Sequence, residues 1–411
     1  MKQTIRYLIS SSICCFMTAL GWAQPGQADL SKTNVSYVYD LEAPVLVNAK
    51  VARADNEAIV FLQVINRTGN ELPAIQYEVR PDYTTKTVLT TQSLTANDLI
   101  KQEESISYYR FPISLQDNAN YVFLYLTVTV AGAELPLRYD ISLETDQNFP
   151  LSSLLLMRAS EDIPIFENFI PQHESVRIIS LSGQDSAAYA YYYDHDFEPN
   201  PPPMGGTGSE VQSNLTVDSL FQFPLDSAFT FEEEGLYFAQ MDTTSLSGIS
   251  FRVETHYYPR LVKTEEVIGP LRYISTAEEM DELREGSDPK MALDSYWMRM
   301  TRSQDRAKII IRDYFRQATK ANQLFTTYKE GWKTGMGMIY TLYGKPNDVY
   351  RDDEKEVWIY AADNNLVNMS FTFMKVRNIF TDQHYNLVRD EEYKRFWYRN
   401  IDLWRKGRKT L

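Results

Sequence analysis

The sequence predicts a mostly β chain with an α+β C-terminal domain. One or two antiparallel β-sandwich domains of immunoglobulin-like type precede a domain of helices and a small antiparallel sheet. Short Val, Ile, Tyr and Thr runs separated by turn residues fill residues 35–144 and a second block at about 151–260. Helix signals begin only after Gly269. A period-two alternation of apolar and polar residues then spans 367–373 and, with the preceding run "EVWIYA", predicts a hairpin.

The N terminus has the layout of a secretory signal peptide. Lys2 and Arg6 form a positive start, a mostly apolar stretch follows, and small residues precede the expected cut at Gly21 and Ala23. The apolar stretch is too short to span a bilayer stably, and no later segment reaches that length. We therefore expect an exported protein without a transmembrane span after cleavage. Its expected location is the periplasm or the periplasmic face of the outer membrane, with the extracellular space as the alternative.

Cysteine use and charge narrow the functional classes. Cys14 and Cys15 are the only cysteines and lie inside the signal, so the mature chain would have no disulfide and no thiol catalysis. Lipoprotein processing at one of them is the alternative, but the preceding Ser-rich sequence is a poor approach to a lipidated cysteine. Removing the signal takes the net charge from −14 to −16, because two cations and no acids are lost. So acidic a chain argues against nucleic-acid binding.

The predicted domains are a signal peptide at 1–23, an N-terminal β-sandwich at 24–148, a second β-rich domain at 149–268 and an α+β domain at 269–411. The second domain is interrupted at 198–214 by a run rich in Pro and Gly. This composition forbids regular structure and predicts a long exposed loop.

Several helices are predicted in the last domain. Thr276 and Glu279 form a capping box, and Gly286 ends that helix. A longer helical region spans about 291–325. Its apolar residues recur at steps of three and four: Ala307, Ile311, Tyr314, Ala318, Ala321 and Phe325. The final helix should bury one side, formed by Tyr393, Phe396, Trp397, Ile401 and Trp404.

Four glycines occur within fourteen residues of the stretch "EGWKTGMGMIYTLYGKPNDV". Together with upstream "STAEEMDEL", "SYWMRM" and "DYFRQATKANQLF" and downstream "EVWIY", this region resembles the GWxTD domain. The resemblance covers about 270–405. Its motif residues here are Gly331, Trp332, Thr334, Gly335, Gly337, Gly344, Pro346, Trp358 and Tyr360. The resemblance implies a bacterial exported family, usually preceded by β-sandwich material, whose biochemical activity is not established.

This chain departs from the family signature at one position. Gly335 stands where the family has aspartate. If the family's aspartate is catalytic or binds a metal, this chain, which lacks it, would be inactive. If the aspartate caps a turn, glycine can replace it, because both residues tolerate turn geometry. We favour the structural interpretation. The glycines would allow close packing around Trp332, and "MIYTLY" would then enter a sheet as a strand. A phosphate-binding loop is the rival, but it needs a preceding strand and a following helix.

Other candidate chemistry is weak. Asp194, His195, Asp196 and His256 could hold zinc or a similar ion if their strands pair, but no spaced ligand motif supports this. The run "RDDEKE" lacks the pattern of a calcium loop, and no Gly-x-Ser-x-Gly elbow occurs. The prediction is therefore no catalytic residue, no metal and no cofactor.

The C-terminal helix is the strongest non-catalytic feature. The segment from Arg389 to Leu411 contains eight basic and four acidic residues, which gives it a local charge of +4. A basic amphipathic helix can dock on a partner or on an anionic membrane, and a lid on its own domain is the alternative. The candidate interaction surface comprises Arg395, Arg399, Trp404, Arg405 and Lys406.

These observations favour a non-enzymatic cell-envelope protein that binds or scaffolds another envelope component, an envelope protein above all, through the C-terminal domain. Peripheral contact with the outer membrane through the last helix is a further expectation. The alternatives are a hydrolase acting on envelope glycan or peptide, which needs convergent acids near Lys333 to Lys345, and a carbohydrate-binding module.

Overall fold

The computed structural model describes residues 29–69, 71–115, 122–131, 136–143, 150–183, 187–205, 215–361 and 368–409. The predicted signal peptide, the second half of the predicted Pro/Gly loop and the predicted hairpin tip at Asp363, Asn364 and Asn365 lie outside these residues. The chain is mostly β, with several antiparallel sheets and a C-terminal helical region, as predicted.

Eight strands build a first sandwich of two antiparallel sheets. They are β1 (Val45–Ala54), β2 (Glu57–Asn66), β3 (Ala74–Arg80), β4 (Thr90–Ser93), β5 (Leu99–Glu103), β6 (Ile106–Ser114), β7 (Phe123–Thr129) and β8 (Leu137–Ser142). The sheet orders are β1-β2-β6-β5 and β4-β3-β7-β8. These orders correspond to the A-B-E-D and C′-C-F-G sheets of an immunoglobulin-like sandwich. Alternate residues of β2, Ala58, Val60, Leu62 and Val64, are fully buried between the sheets.

The start of this sandwich differs from the prediction. The predicted strand at 35–42 instead contains a short 3-10 helix, Ser36–Tyr39. Its flanking residue Val35 donates its backbone N–H to Val349 of the C-terminal region, so a tertiary contact decides this segment. The strands β4 and β5 escaped prediction because their residues are mostly polar and exposed.

The middle of the chain forms two sheets around one core. The strands are β9 (Leu154–Arg158), β10 (Phe169–Pro171), β11 (Val176–Ser180), β12 (Ala187–Tyr193), β13 (Ser219–Pro224), β14 (Gly235–Gln240) and β15 (Ile249–Glu254). Five form the order β10-β15-β14-β12-β13, in which β10 runs parallel to β15, and β11 pairs with β9. The described part of the predicted Pro/Gly loop, 198–205, is irregular as expected but only partly exposed. Arg389 holds it by donating to the carbonyls of Pro202 and Met204.

The C-terminal region packs helices on a four-stranded antiparallel sheet of order β16-β17-β18-β19. Its elements are α1 (Thr264–Ile268), α2 (Ala277–Glu285), α3 (Pro289–Thr301), α4 (Gln304–Phe325), α5 (Gly335–Tyr343), β16 (Asp348–Arg351), β17 (Lys355–Tyr360), β18 (Met369–Lys375), β19 (Tyr385–Leu387) and α6 (Tyr393–Arg405). Short 3-10 helices cover Gly269–Tyr273 and Gly331–Lys333. Within the described residues, no helix combines the length and apolar character that crossing a membrane requires.

Local predictions in this region are largely confirmed. The capping box of Thr276 and Glu279 starts α2, and β17 pairs with β18 as the predicted hairpin. The predicted helical region at 291–325 is divided into α3 and α4. Arg302 breaks it with a left-handed backbone (φ 54°), and Ser303 caps α4.

The prediction of a strand for "MIYTLY" is wrong, because these residues belong to helix α5. The segment is apolar on all sides, and from Gly335 to Leu342 every residue is buried. A short, continuously buried run shows no periodicity that distinguishes a helix from a strand.

Candidate functional site

The glycine-rich motif forms a tightly packed turn between α4 and α5. A methyl group added to Gly331 would lie 2.1 Å from the carbonyl oxygen of Ala321, and one added to Gly337 would lie 1.8 Å from that of Gly331. These distances are far below van der Waals contact, so any side chain there would displace backbone. The glycines are therefore required for close approach, and the turn leaves no space for a ligand between its own residues.

Thr334 organises the start of α5. Its hydroxyl accepts a hydrogen bond from the N–H of Gly337 at 2.9 Å and donates one to the carbonyl of Gly331 at 2.8 Å. Threonine is therefore the N-cap of this helix. The two bonds tie both ends of the turn to one side chain.

Gly335, the departure from the family signature, is the first residue of α5. A Cβ here would lie 3.1 Å from the side-chain amide of Asn200 and 3.3 Å from Cβ of Leu387. The position faces the middle of the chain, and Thr334 already supplies the cap. Glycine at 335 thus makes room for Asn200, whose backbone N–H donates to the carbonyl of Lys333 at 2.8 Å.

Trp332 is buried in the core of the C-terminal region. Its ring lies 3.0 Å from the Cβ that Gly269 lacks, and its backbone N–H donates to the side chain of Asn322 at 3.0 Å. Asn322 is fully buried and donates in turn to the carbonyl of Pro259 at 3.0 Å. The tryptophan and the asparagine of α4 thereby join the motif to the segment that follows β15.

The remaining motif residues also serve packing. Gly344 ends α5 with a positive φ of 79°, and its carbonyl accepts from the hydroxyl of Tyr360 at 2.8 Å. Pro346 is buried. Trp358 is fully buried, with its ring 4.8 Å from that of Tyr39.

Charged groups beside the motif form what we call the Lys333 cluster: Asp196, Arg252, Glu254, Glu330 and Lys333. Lys333 is paired with Asp196 and lies 3.0 Å from Glu330. Arg252 donates to Glu254 at 2.5 Å and reaches Glu330 at 3.7 Å. The cluster joins β15 and the segment after β12 to the motif.

The environment of this cluster perturbs its protonation. Burial raises the pKa of Glu254 to about 7 despite the neighbouring Arg252. Burial also lowers the pKa of Lys329, which binds Asn200 and the carbonyl of Glu198, to about 8. For Glu330, burial acts in the raising direction, but Arg252 and Lys333 outweigh it and lower its pKa. Each charged group of the cluster has a partner of opposite charge. We therefore infer that the cluster stabilises the contact between the middle of the chain and the glycine-rich motif.

The buried Glu254 predicts a pH dependence. A folded-state pKa raised from 4.5 to about 7 contributes stability that is complete below pH 4.5 and is lost as the pH rises to 7. The unfolding free energy of the wild type minus that of Glu254→Gln should fall by on the order of 3 kcal/mol across this window. His384, whose pKa burial lowers to about 4, has the opposite slope, but it is common to both proteins and cancels. Denaturant titrations at several pH values test this, and parallel curves would contradict it.

A second buried network, the Arg351 cluster, comprises Tyr39, Asp140, Arg351 and Glu356. Arg351 donates to both carboxylate oxygens of Asp140 at 3.1 and 3.2 Å and to Glu356 at 2.9 Å. The hydroxyl of Tyr39 lies 2.7 Å from Glu356. This network connects β8 of the first sandwich to the C-terminal sheet.

The residues considered for a metal site are separated by their contacts. The described residues hold no group of three or more His, Cys, Asp or Glu side chains placed to bind an ion. Asp196 pairs with Lys333, while the ring of His195 packs on Phe197 at 4.7 Å and that of His256 on Tyr257 at 5.1 Å. In "RDDEKE", Arg351 and Glu356 belong to the Arg351 cluster.

The candidate surface on α6 is divided by the fold. The prediction that Trp404 lies on this surface is wrong. Its side chain is buried, and its indole N–H donates to the carbonyl of Leu342 at 2.9 Å. Arg405 is turned inward too, forming a double hydrogen bond to Glu279 at 2.7 and 2.8 Å. Arg395, Arg399 and Lys406 are exposed on the outer side. The helix is therefore anchored as a lid while presenting a basic outer face.

A cleft of about 720 Å³ lies where the three regions meet. The wall from the first sandwich contains β1 and β2, and the opposite wall contains residues 375–385. Residues 166–169 and 246–250 close one side. From the motif, Thr334 and Met336 reach this cleft. Sequence reasoning missed it, because it is formed by strands far apart in the chain.

A family model, described as the GWxTD domain, matches residues 235–406. The match begins at β14, so it takes in two strands that precede the resemblance at 270–405. No curated protein has a significant match to the chain. Among solved structures, a titin A168–169 fragment is 10% identical, covering 51% of this chain and 97% of its own, with a TM-score of 0.17. A C-terminal intimin fragment, solved with the translocated intimin receptor, is 6% identical, covering 84% and 94%, with a TM-score of 0.15. At these TM-scores neither likeness carries an argument.

Proposed function

We propose that this chain, which contains a GWxTD domain, is a non-enzymatic protein of the bacterial cell envelope that binds another envelope protein through that domain. The observation that carries the proposal is the outer face of α6. There, Arg395, Tyr398 and Arg399 are exposed on a helix whose other side is locked into the core. We call these three residues the α6 stripe.

The α6 stripe has the properties of a protein contact. Neither arginine has an acidic partner among the residues that the structure describes. Tyr398 is 58% exposed between them. Arg and Tyr are enriched at the energetic centres of protein interfaces. The buried Trp397 and Trp404 hold the helix rigid, which lowers the entropic cost of binding.

A protein partner fits better than a membrane. Helices that lie in a bilayer surface insert their apolar side, which in α6 is occupied by the core of the C-terminal region. The exposed side is polar and basic, whereas the rest of the chain is acidic. The partner would therefore present an acidic protein surface.

The hydrolase alternative is less well supported. It needs free carboxylates around a pocket beside Lys333 to Lys345. The acid closest to Lys333 in the chain, Glu330, is held by Lys333 and Arg252, and the turn is closed by the Gly331 and Gly337 contacts. The carbohydrate-binding alternative stays a prediction, and a glycan array with the full chain tests it.

Site-specific photocrosslinking tests the proposed function. A photoreactive phenylalanine analogue at Tyr398, introduced into the native cell, should give one discrete adduct in the envelope fraction. The same analogue at the exposed Thr91 of β4 is the control and should give none. The double variant Arg395→Glu/Arg399→Glu should abolish the Tyr398 adduct without changing thermal stability. An absent adduct, or one that survives the charge reversal, would refute the proposal, and cytosolic fractionation would refute the envelope location.

A further inference from the structure

The first strand of the first sandwich is an edge strand. Within the described ranges, β1 has β2 as its single strand partner. In an antiparallel pair, the N–H and C=O groups of alternate residues point away from the partner strand. Arg53 identifies the alternation, because its N–H points outward and donates to the carbonyl of Ser152 at 2.8 Å. At the other end, the outward carbonyl of Val45 accepts from the hydroxyl of Tyr139 at 2.8 Å.

Between these two ends, three residues have the same outward orientation: Val47, Ala49 and Val51. Their outward N–H and C=O groups have no hydrogen-bond partner among the described residues. All three residues line the 720 Å³ cleft. With respect to the described residues, the edge is thus closed at both ends and open for about 13 Å in the middle, four residue steps at 3.3 Å each. Unpaired strand edges of this kind accept an additional strand.

The side chains along this edge leave the core of the first sandwich incompletely covered. Val47, Ala49 and Val51 are only partly buried against it, and so are Ile141 and Leu151 on the neighbouring wall of the cleft. On the other face of β1, Asn48, Lys50 and Gln63 line the cleft beside Leu46 and Ile65, so this face is polar only along the middle of the strand. An added strand would therefore meet an apolar surface on one side and, along the middle of β1, a polar surface on the other.

We propose that this cleft binds an extended peptide segment of a partner polypeptide, which adds to β1 as a new edge strand. Regularly spaced backbone donors and acceptors select an extended main chain. Residues 375–385 line the same cleft as β1, and its volume of about 720 Å³ suits one extended segment rather than the edge of a second folded sheet. The bound segment should alternate aliphatic and polar residues, because successive side chains of a strand point to opposite faces.

The test uses the full chain and a display library of random linear twelve-residue peptides. Selected peptides should show the alternating pattern. They should bind Ala49→Pro at least tenfold more weakly than Ala49→Ser, because proline removes the outward N–H and leaves the hydrogen bonds to β2 in place. Circular dichroism verifies that both variants are folded. Selected peptides that bind the two variants equally, or no selected peptide at all, would overturn the proposal.

Hydrogen exchange provides a measurement independent of the proline variant. The amides of Val47, Ala49 and Val51 should exchange rapidly in the isolated protein and become protected when a selected peptide is bound. Protection in the isolated protein would show that the chain's own segment covers the edge, and it would overturn the proposal. The Arg395→Glu/Arg399→Glu variant should bind the peptides normally, so failure here and failure of the α6 stripe are distinguishable.

Discussion

Gly337→Ala is expected to destabilise the C-terminal region by about 3 kcal/mol or more. Alanine normally stabilises a helix interior by about 1 kcal/mol relative to glycine. Here the new methyl group would lie 1.8 Å from the carbonyl oxygen of Gly331, and the obstructing atom is backbone, which cannot rotate away. Because a Cβ on Gly331 would itself lie only 2.1 Å from the carbonyl oxygen of Ala321, Gly331 is already packed against the backbone of α4, and the turn cannot yield in that direction. The steric term therefore outweighs the helix propensity.

Gly335→Ala is the matched control in the same helix. Its Cβ would lie 3.1 Å from the side-chain amide of Asn200 and 3.3 Å from Cβ of Leu387, and a shift of a few tenths of an ångström relieves both contacts. We expect a loss of less than about 1 kcal/mol, because the gain in helix propensity offsets most of the cost of this shift. Five of the six tryptophans lie between Trp297 and Trp404, so fluorescence during denaturant unfolding reports on this region. Equal midpoints for the two variants would show that the close glycine contacts are not required.

Arg351→Met should cost about 3–5 kcal/mol, the range for breaking a buried ion pair by removing one partner. Methionine leaves Glu356, which is fully buried, with only the hydroxyl of Tyr39. It also removes the guanidinium nitrogen that donates to both carboxylate oxygens of Asp140 in the first sandwich. Burial already raises the pKa of Glu356, so the deficit should be smaller at pH 5 than at pH 8, where the unpaired carboxylate is charged.

Two further variants serve as controls for the Arg351→Met measurement. Arg351→Met/Glu356→Gln removes both charges of the buried pair and should recover part of the loss. Arg299→Ala breaks an ion pair with Glu282 in which both side chains are more than half exposed, and it should leave the unfolding midpoint nearly unchanged. If Arg351→Met were no worse than Arg299→Ala, the Arg351 cluster would not contribute to stability.

Elements with a local physical signal could be predicted from the sequence. The hairpin of β17 and β18 follows from alternation, because one face is buried and the other is wet. The start of α2 follows from Thr276 and Glu279, which satisfy backbone groups three residues apart. The motif that led to the GWxTD resemblance belongs to the region that the family model matches.

Elements that lack such a signal were missed. α5 is buried on every side, so no periodicity marked it as a helix. The segment at 36–39 has strand-like residues but is shaped by contacts with the C-terminal sheet. Trp404 looked like an interface residue because α6 is amphipathic, and amphipathicity does not tell which side another element covers.

The sequence by itself determined the β-rich plan, the helices with caps, the resemblance of the C-terminal region to the GWxTD domain and the need for glycine at the turn, because each depends on residues close together in the chain. Only the tertiary structure decided which side of α6 is exposed, that Gly335 makes room for Asn200, and that β1 opens onto a cleft. Those features arise where segments more than fifty residues apart meet. Their energies depend on distances and burial between segments, which no local pattern of residue types records.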